Sequence, residues 1–267
     1  LWARTIAPQR TAMISVLLAA TYPGAIFFCA ALTEGPFFMF VAIGLWLLQR
    51  KQFWWAAAVS GIATALRPTG VALAMTVAAY AMYCASGPWT ARILRTAVIS
   101  LVSVSGLLAY QSYIWNRYHR FDAYLVAQQD WERQDKEANA AERAGGGPER
   151  YSLEFFLDRI YKPQAWNRGI ALVLTIVLVA GMIRPGPVPR VLFVLPLVIL
   201  LLSAVPNNML RASSIFRYES AGLPLFVVLA MWFSAAKRRH WLVGLLAVQL
   251  AVQVYYAFLF SRGIWVG

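Results

Sequence analysis

Glu34, Arg67, Arg211, Arg217 and Glu219 are charged residues at or near the ends of long apolar runs. Glu34 stands in "TEGPF", directly before a run of aromatic and aliphatic residues. Arg67 stands in "ALRPTG", where Pro68 and Gly70 mark a turn between two apolar halves. "VPNNMLR" carries Asn207, Asn208 and Arg211, and "FRYESAGLPLF" carries Arg217, Tyr218 and Glu219. Ionisable groups inside apolar segments are costly and tend to line a cavity or meet a partner. Arginine offers a planar fork of charge-assisted donors that suits phosphate. A nearby carboxylate can orient an acceptor hydroxyl or take its proton. Carboxylate plus arginines is therefore a set for chemistry on a phosphate-linked substrate.

Each residue also has a plainer role open to it. Glu34 could pair with Arg67 and only hold two hairpins together. Arg67 could snorkel from a helix end, and Arg217 and Glu219 could be ordinary interfacial charges. Other chemistries lack their residues. There is no GxxxxGK[ST] loop and no GxSxG elbow. Cys29, Cys84, His119 and His240 are too few and too scattered for a metal or haem site, so no metal is expected.

The elements that must position these residues are apolar. Of 267 residues, 60% are hydrophobic and only 13% charged, against about 25% charged in an ordinary soluble domain. Apolar segments run at roughly 11–30, 34–49, 53–66, 69–86, 93–114, 167–184, 190–205, 220–236 and 241–260. Each approaches the length needed to cross a hydrocarbon core of about 30 Å. The expected fold is all-α, a polytopic transmembrane bundle of about nine spans. The first five occupy 1–114, a long outer connection 115–166, and the last four 167–267. The chain starts at Leu1, and no signal-peptide pattern precedes the first run, so a further amino-terminal part is expected.

Charge sets the orientation. With the amino-terminal end inside, the inner loops hold Arg4, Arg10, Arg50, Lys51, Arg92, Arg95, Arg184, Arg190 and Lys237–Arg239, and no acid. All 11 Asp and Glu fall outside. This is the positive-inside pattern, which also accounts for the net charge of +13 without nucleic acid. Cys29 then lies near the outer face and Cys84 near the inner, too far apart to pair. In the outer connection, "WNRYHRFDAYLVAQQDWERQDKEANAAER" reads as largely helical. After "AGGGP", Leu153, Phe156, Leu157 and Ile160 share one helical face, suited to lying on a membrane surface or covering a cavity. The candidate polar residues would then share one outer vestibule.

"YPGAIFFCAALTEGPFFMFVAIGLWLL" followed by "AAAVSGIATALRPTGVAL" resembles the PIG-V family of mannosyltransferases, with "YHRFDAYLVAQQDWER" similar to its bacterial branch and "FRYESAGLPLF" to its late Arg-Tyr…Pro-Leu-Phe segment. The resemblance implies a GT-C type glycosyltransferase in the bacterial cytoplasmic membrane, its active site facing outward. Such an enzyme takes a hexose, usually mannose, from a polyprenyl-phosphate sugar to a glycolipid, glycan or protein acceptor, with no further cofactor. By motif it carries over Glu34, Arg67 and Arg217: Arg67 and Arg217 are expected to bind the donor phosphate, and Glu34, as the catalytic residue, to orient the acceptor or support the missing base. Tyr218, Glu219, Arg211 and Asn207 are expected in support from their place in the sequence. The family's acidic residue in the first outer loop would fall upstream of Leu1. From the residues alone, a transporter or flippase for a lipid-linked sugar and a non-catalytic membrane subunit remain as alternatives; against the transporter, no internal repeat is evident.

Overall fold

The structure, a computed structural model, describes residues 1–29, 32–123, 126, 163–183, 186, 188–204, 221–234 and 238–262. Every regular element among the described residues is a helix. A short α1 (Trp2–Ile6) leads into α2 (Gln9–Thr21), followed by a 3-10 helix over Pro23–Phe28. Then come α3 (Glu34–Gln49), α4 (Phe53–Leu66), a 3-10 turn at Pro68–Gly70, α5 (Val71–Cys84), α6 (Trp89–Ser103) and α7 (Ser105–Tyr118). Past the long connection lie α8 (Pro163–Ile183), a 3-10 turn at Arg190–Phe193, α9 (Val194–Ala204), α10 (Leu223–Phe233) and α11 (Arg239–Ser261).

Proline and glycine set most of these boundaries. Tyr22 adopts φ −56°, ψ 135° because Pro23 disfavours the helical conformation in the residue before it, so α2 ends there rather than running to 30 as expected. The α3–α4 hairpin turns in three residues. Lys51, with φ 58°, takes the left-handed position usually given to glycine. Its amide donates to the Leu48 carbonyl at 2.9 Å, and that of Gln52 donates to Leu47 at 3.0 Å, which satisfies carbonyls left open at the end of α3.

The apolar run expected to form one span over 93–114 is broken. Helices α6 and α7 meet at Val104 with a 54° bend. No proline is present; the cause is tertiary. A Cβ on Gly106 would lie 2.1 Å from the Gly61 carbonyl oxygen, and one on Gly61 would lie 2.6 Å from Ser105 Oγ. The backbones of α4 and α7 therefore touch, and α7 must swing over to make that contact. The hydroxyls of α4 attend to backbone freed at the break. The Ser60 hydroxyl donates to the Ser103 carbonyl at 3.3 Å, and the Leu107 amide donates to Thr64 Oγ1 at 3.3 Å. A side chain that fills a broken ladder in this way is what allows a bend in an apolar setting.

The core runs along the bundle through Leu18, Val41, Leu45, Leu48, Leu73, Val77, Leu195, Ile199, Phe226 and Ala230, all buried. The helices also sort their ends. Helix α4 runs from Phe53, whose ring lies under the Arg95 guanidinium at 5.7 Å, to Leu66 beside Arg67. Helix α2 runs from Arg10 toward the 3-10 helix that packs on the start of α3. Arg10, Arg50, Lys51, Arg92 and Arg95 thus gather at one end, and Glu34 and Arg67 stand at the other. Cys29 and Cys84 lie at opposite ends as well, and both are free.

By length and apolarity, one described helix is able to cross a membrane: α11, with 23 residues, the most apolar 18 of which have a mean hydropathy of 1.9. The bent pair α6–α7 makes a second if counted as one span. Of the other apolar helices, α3 and α4 match the expected 34–49 and 53–66, while α5 and α9 fall short of 69–86 and 190–205 because a 3-10 turn precedes each.

Candidate functional site

Glu34 is the first residue of α3, and Arg67 directly follows α4. The two helices are antiparallel neighbours of 16 and 14 residues, so the ends away from their turn come level. Arg67 Nη1 lies 2.5 Å from Glu34 Oε1, with the side chains 10% and 1% exposed. The pair closes the open end of one hairpin rather than joining two, and Arg67 points into the protein instead of snorkelling. Helix ends favour this choice of charges. The carboxylate sits at the positive end of α3 and the guanidinium at the negative end of α4. Burial makes each charge expensive without the other.

The local sequence builds the cradle. Arg67 is extended, at φ −152°, ψ 141°, as a residue before proline must be. The turn at Pro68–Gly70 then folds back so tightly that a Cβ on Gly70 would lie 2.6 Å from the Ala63 carbonyl oxygen. On the other side, a Cβ on Gly35 would lie 2.7 Å from the Phe28 carbonyl oxygen, so glycine lets the 3-10 helix rest across the start of α3. The rings of Phe28 and Phe38 pack there at 4.5 Å, and Phe27 meets Phe260 of α11 at 6.0 Å. Aromatic side chains thus shield the Glu34 end from water.

Thr69 is a polar group the motif reasoning passed over. It is 2% exposed, and its hydroxyl has no hydrogen-bond partner among the described residues. A buried hydroxyl left open costs about 1–3 kcal/mol. The signal was present in "RPTG", a threonine held in the same turn as the arginine. Ser60 and Thr64, which secure the α6–α7 break beneath this end, were also missed; their small-polar spacing along α4 is the only trace they leave.

Arg217, Tyr218, Glu219, Arg211 and Asn207, with Asn208, lie outside the described residues, as does the amphipathic face Leu153–Ile160. The chain resumes at Ala221, which is buried. Phe226, in the first turn of α10, meets Tyr22 edge-on at 5.6 Å. Tyr22 closes α2 at the Glu34 end, so α10 begins at that same end.

At the far end of α7, His119 takes a left-handed conformation (φ 53°) and stops the helix, earlier than the long helical reading from Trp115 onward. Arg120 Nε and Nη2 donate to the two Asp122 oxygens at 3.0 and 2.9 Å. These hydrogen bonds hold the exposed Asp122 carboxyl below its usual pKa. Trp115 and Phe121 stack beside them at 4.2 Å. Among the described residues, no group of three or more His, Cys, Asp or Glu comes together.

No protein-family model, curated protein or solved structure matches the chain. The site has to be interpreted from its own geometry: a buried carboxylate–guanidinium pair at one end of a helical bundle, a buried open hydroxyl in the same turn, and cations gathered at the opposite end.

Proposed function

We propose that the chain is a multi-span membrane protein that transfers a hexose from a polyprenyl-phosphate sugar to an acceptor on the outer side of a bacterial cytoplasmic membrane. The sugar is mannose by the resemblance to the PIG-V family. Two features support the membrane setting. Helix α11 leaves Trp241, Val243, Val248, Leu250, Val254 and Phe258 exposed, and α6 leaves Ile93, Leu94, Val98 and Leu101 exposed. Apolar surface on that scale exceeds what a soluble monomer presents and suits lipid. The basic residues collect at one end, as short inner loops require.

The observation that carries the catalytic reading is the buried Glu34–Arg67 pair at the opposite end. In the proposed reaction the acceptor hydroxyl attacks the anomeric carbon and the glycosidic C–O bond to phosphate breaks. The electron pair of that bond leaves with the polyprenyl phosphate. Arg67, with Arg217, neutralises the charge growing on the leaving phosphate. Glu34 orients the acceptor hydroxyl or receives its proton. Arg211, Tyr218, Glu219 and Asn207 complete the vestibule in this reading.

A transporter for a lipid-linked sugar is the second reading, favoured by the broken pair α6–α7, since transporters build sites from discontinuous helices. Here the break is filled by Ser60, Gly61 and Thr64 of α4, and the buried charges stand elsewhere, at the Arg67 end. Hexose transfer from purified polyprenyl-phosphate hexose in proteoliposomes tests the proposal. The expected loss in Glu34→Gln is about 10²–10⁴-fold, the range for a general base. Equal transfer by the wild type and this variant would remove the catalytic role.

A further inference from the structure

The basic end of the bundle holds a groove of about 690 Å³ between α2 and α11, lined by Gln9, Arg10, Met13, Ile14, Leu17, Arg239 and Leu242. The two helices run parallel there. Gln253 Nε2 donates to the Ala20 carbonyl at 3.1 Å and Thr21 Oγ1 meets Gln249 Oε1 at 2.8 Å, further along both helices. The groove lies beside their first turns. Its floor is aliphatic, with Ile14 and Leu242 buried, while Met13 and Leu17 form half-exposed walls.

Arg10 and Arg239 stand apart from four arginines of this end, which have partners; among the described residues, Arg4, Lys51 and Arg190 are without one as well but do not line the groove. Arg50 lies over the Trp46 ring, and Arg95 over that of Phe53. Arg92 donates to the Met82 carbonyl, and Arg238 donates to that of Trp232. Among the described residues, Arg10 and Arg239 have no ion pair or hydrogen bond, and both line the groove. Two uncommitted guanidiniums at the mouth of an aliphatic trough match an amphiphile with an anionic head and hydrocarbon tails. Basic pockets between membrane helices on the cytoplasmic side are built in this way.

We propose that this groove binds an anionic phospholipid of the inner leaflet, its phosphate between Arg10 and Arg239 and its acyl chains against Met13, Ile14, Leu17 and Leu242. The inference rests on the membrane reading above and is independent of the transferase reading.

The test uses the full chain in vesicles of phosphatidylcholine with or without phosphatidylglycerol, followed by mild detergent extraction and native mass spectrometry of retained lipid. The wild type is expected to retain phosphatidylglycerol over phosphatidylcholine. Neutralising both residues, Arg10→Gln with Arg239→Gln, should weaken that retention about thirty-fold, from roughly five-fold per basic residue near an anionic surface. Arg262→Gln makes a like charge change at the other end of α11 and should leave retention intact. Both groove arginines are exposed, so the double variant should keep the wild-type elution volume and melting point in pure phosphatidylcholine. Equal retention by wild type and double variant would overturn the inference. So would displacement by inorganic phosphate as effective as displacement by phosphatidylglycerol. A protein that alkaline carbonate strips from the vesicles would overturn the membrane reading and this site together; a carbonate-resistant protein with no lipid preference would overturn the site alone.

Discussion

Replacing the two members of the buried pair separately and together distinguishes a clamp from a catalytic group. Glu34 is 1% exposed and Arg67 9%, so neither can turn to water when its partner is removed. Losing one side of a buried pair costs about 3–5 kcal/mol. That range is roughly 10²–10⁴ in the ratio of folded to unfolded protein. Glu34→Gln retains a polar acceptor for the guanidinium and should fall at the low end; Arg67→Met takes the guanidinium away from a buried carboxylate and should fall at the high end. The double variant, Glu34→Gln with Arg67→Met, removes both charges and should recover most of the stability, since replacing a whole buried pair is often near neutral. Thermal unfolding of the purified protein in detergent measures the first part. Hexose transfer in membranes, normalised to folded protein, measures the second. The account expects stability to return in the double variant and transfer to stay lost. Near-normal transfer by the double variant would refute it and leave Glu34 as half of a structural clamp.

Other predictions concern the frame and its orientation. Gly106→Ala should lower the melting point sharply, by an overpacking cost of about 1–3 kcal/mol or more, because its Cβ would lie 2.1 Å from the Gly61 carbonyl oxygen. Gly244→Ala on α11, with nothing within 4 Å, should leave the melting point level or raise it. Thr64→Val should cost about 1–3 kcal/mol, because the Leu107 amide loses its acceptor at the break; thermal unfolding reads all three sites. In intact cells an impermeant thiol reagent should label Cys29, which is exposed, in a Cys84→Ala background; labelling only after the membrane is opened would reverse the orientation. The Asp122 carboxyl, held down by Arg120, contributes stability that is present above the unfolded pKa of about 3.9 and is lost as pH falls through its lower folded value. Arg120→Gln should move that titration back up, which NMR of labelled aspartate detects.

The hairpin that carries the candidate site was legible in the sequence because its signals are local. An acid at the head of an apolar run, two cations at a tight turn and "LRPTG" at the far end define both helices and bring Glu34 level with Arg67. The bend at Val104 was not legible. "LVSVSGLL" has no proline, and the glycine that matters, Gly106, acts through contact with Gly61 and Ala65 of α4, more than forty positions earlier. The end of α2 was readable in principle from Pro23, but the apolar residues that follow, Pro23–Phe28, hid it inside a longer run. Thr69 was hidden by its type, since threonine in a turn is ordinary until its burial is known. The groove joins Arg10 to Arg239 from distant parts of the chain, and no local pattern marks such a meeting. Arg217, expected by motif, and Arg211, expected from its place beside it, remain sequence-based expectations, as they lie outside the described residues.

The fate of the glycosidic bond tests the central claim most directly. Proteoliposomes receive a polyprenyl-phosphate hexose labelled in both sugar and lipid, together with membrane acceptors, and the products are separated by chromatography. The account predicts free polyprenyl phosphate in equal amount to glycosylated acceptor, with both lost in Glu34→Gln. Donor that stays intact and only redistributes between leaflets, unaffected by the state of Glu34, would contradict it and assign the protein to transport.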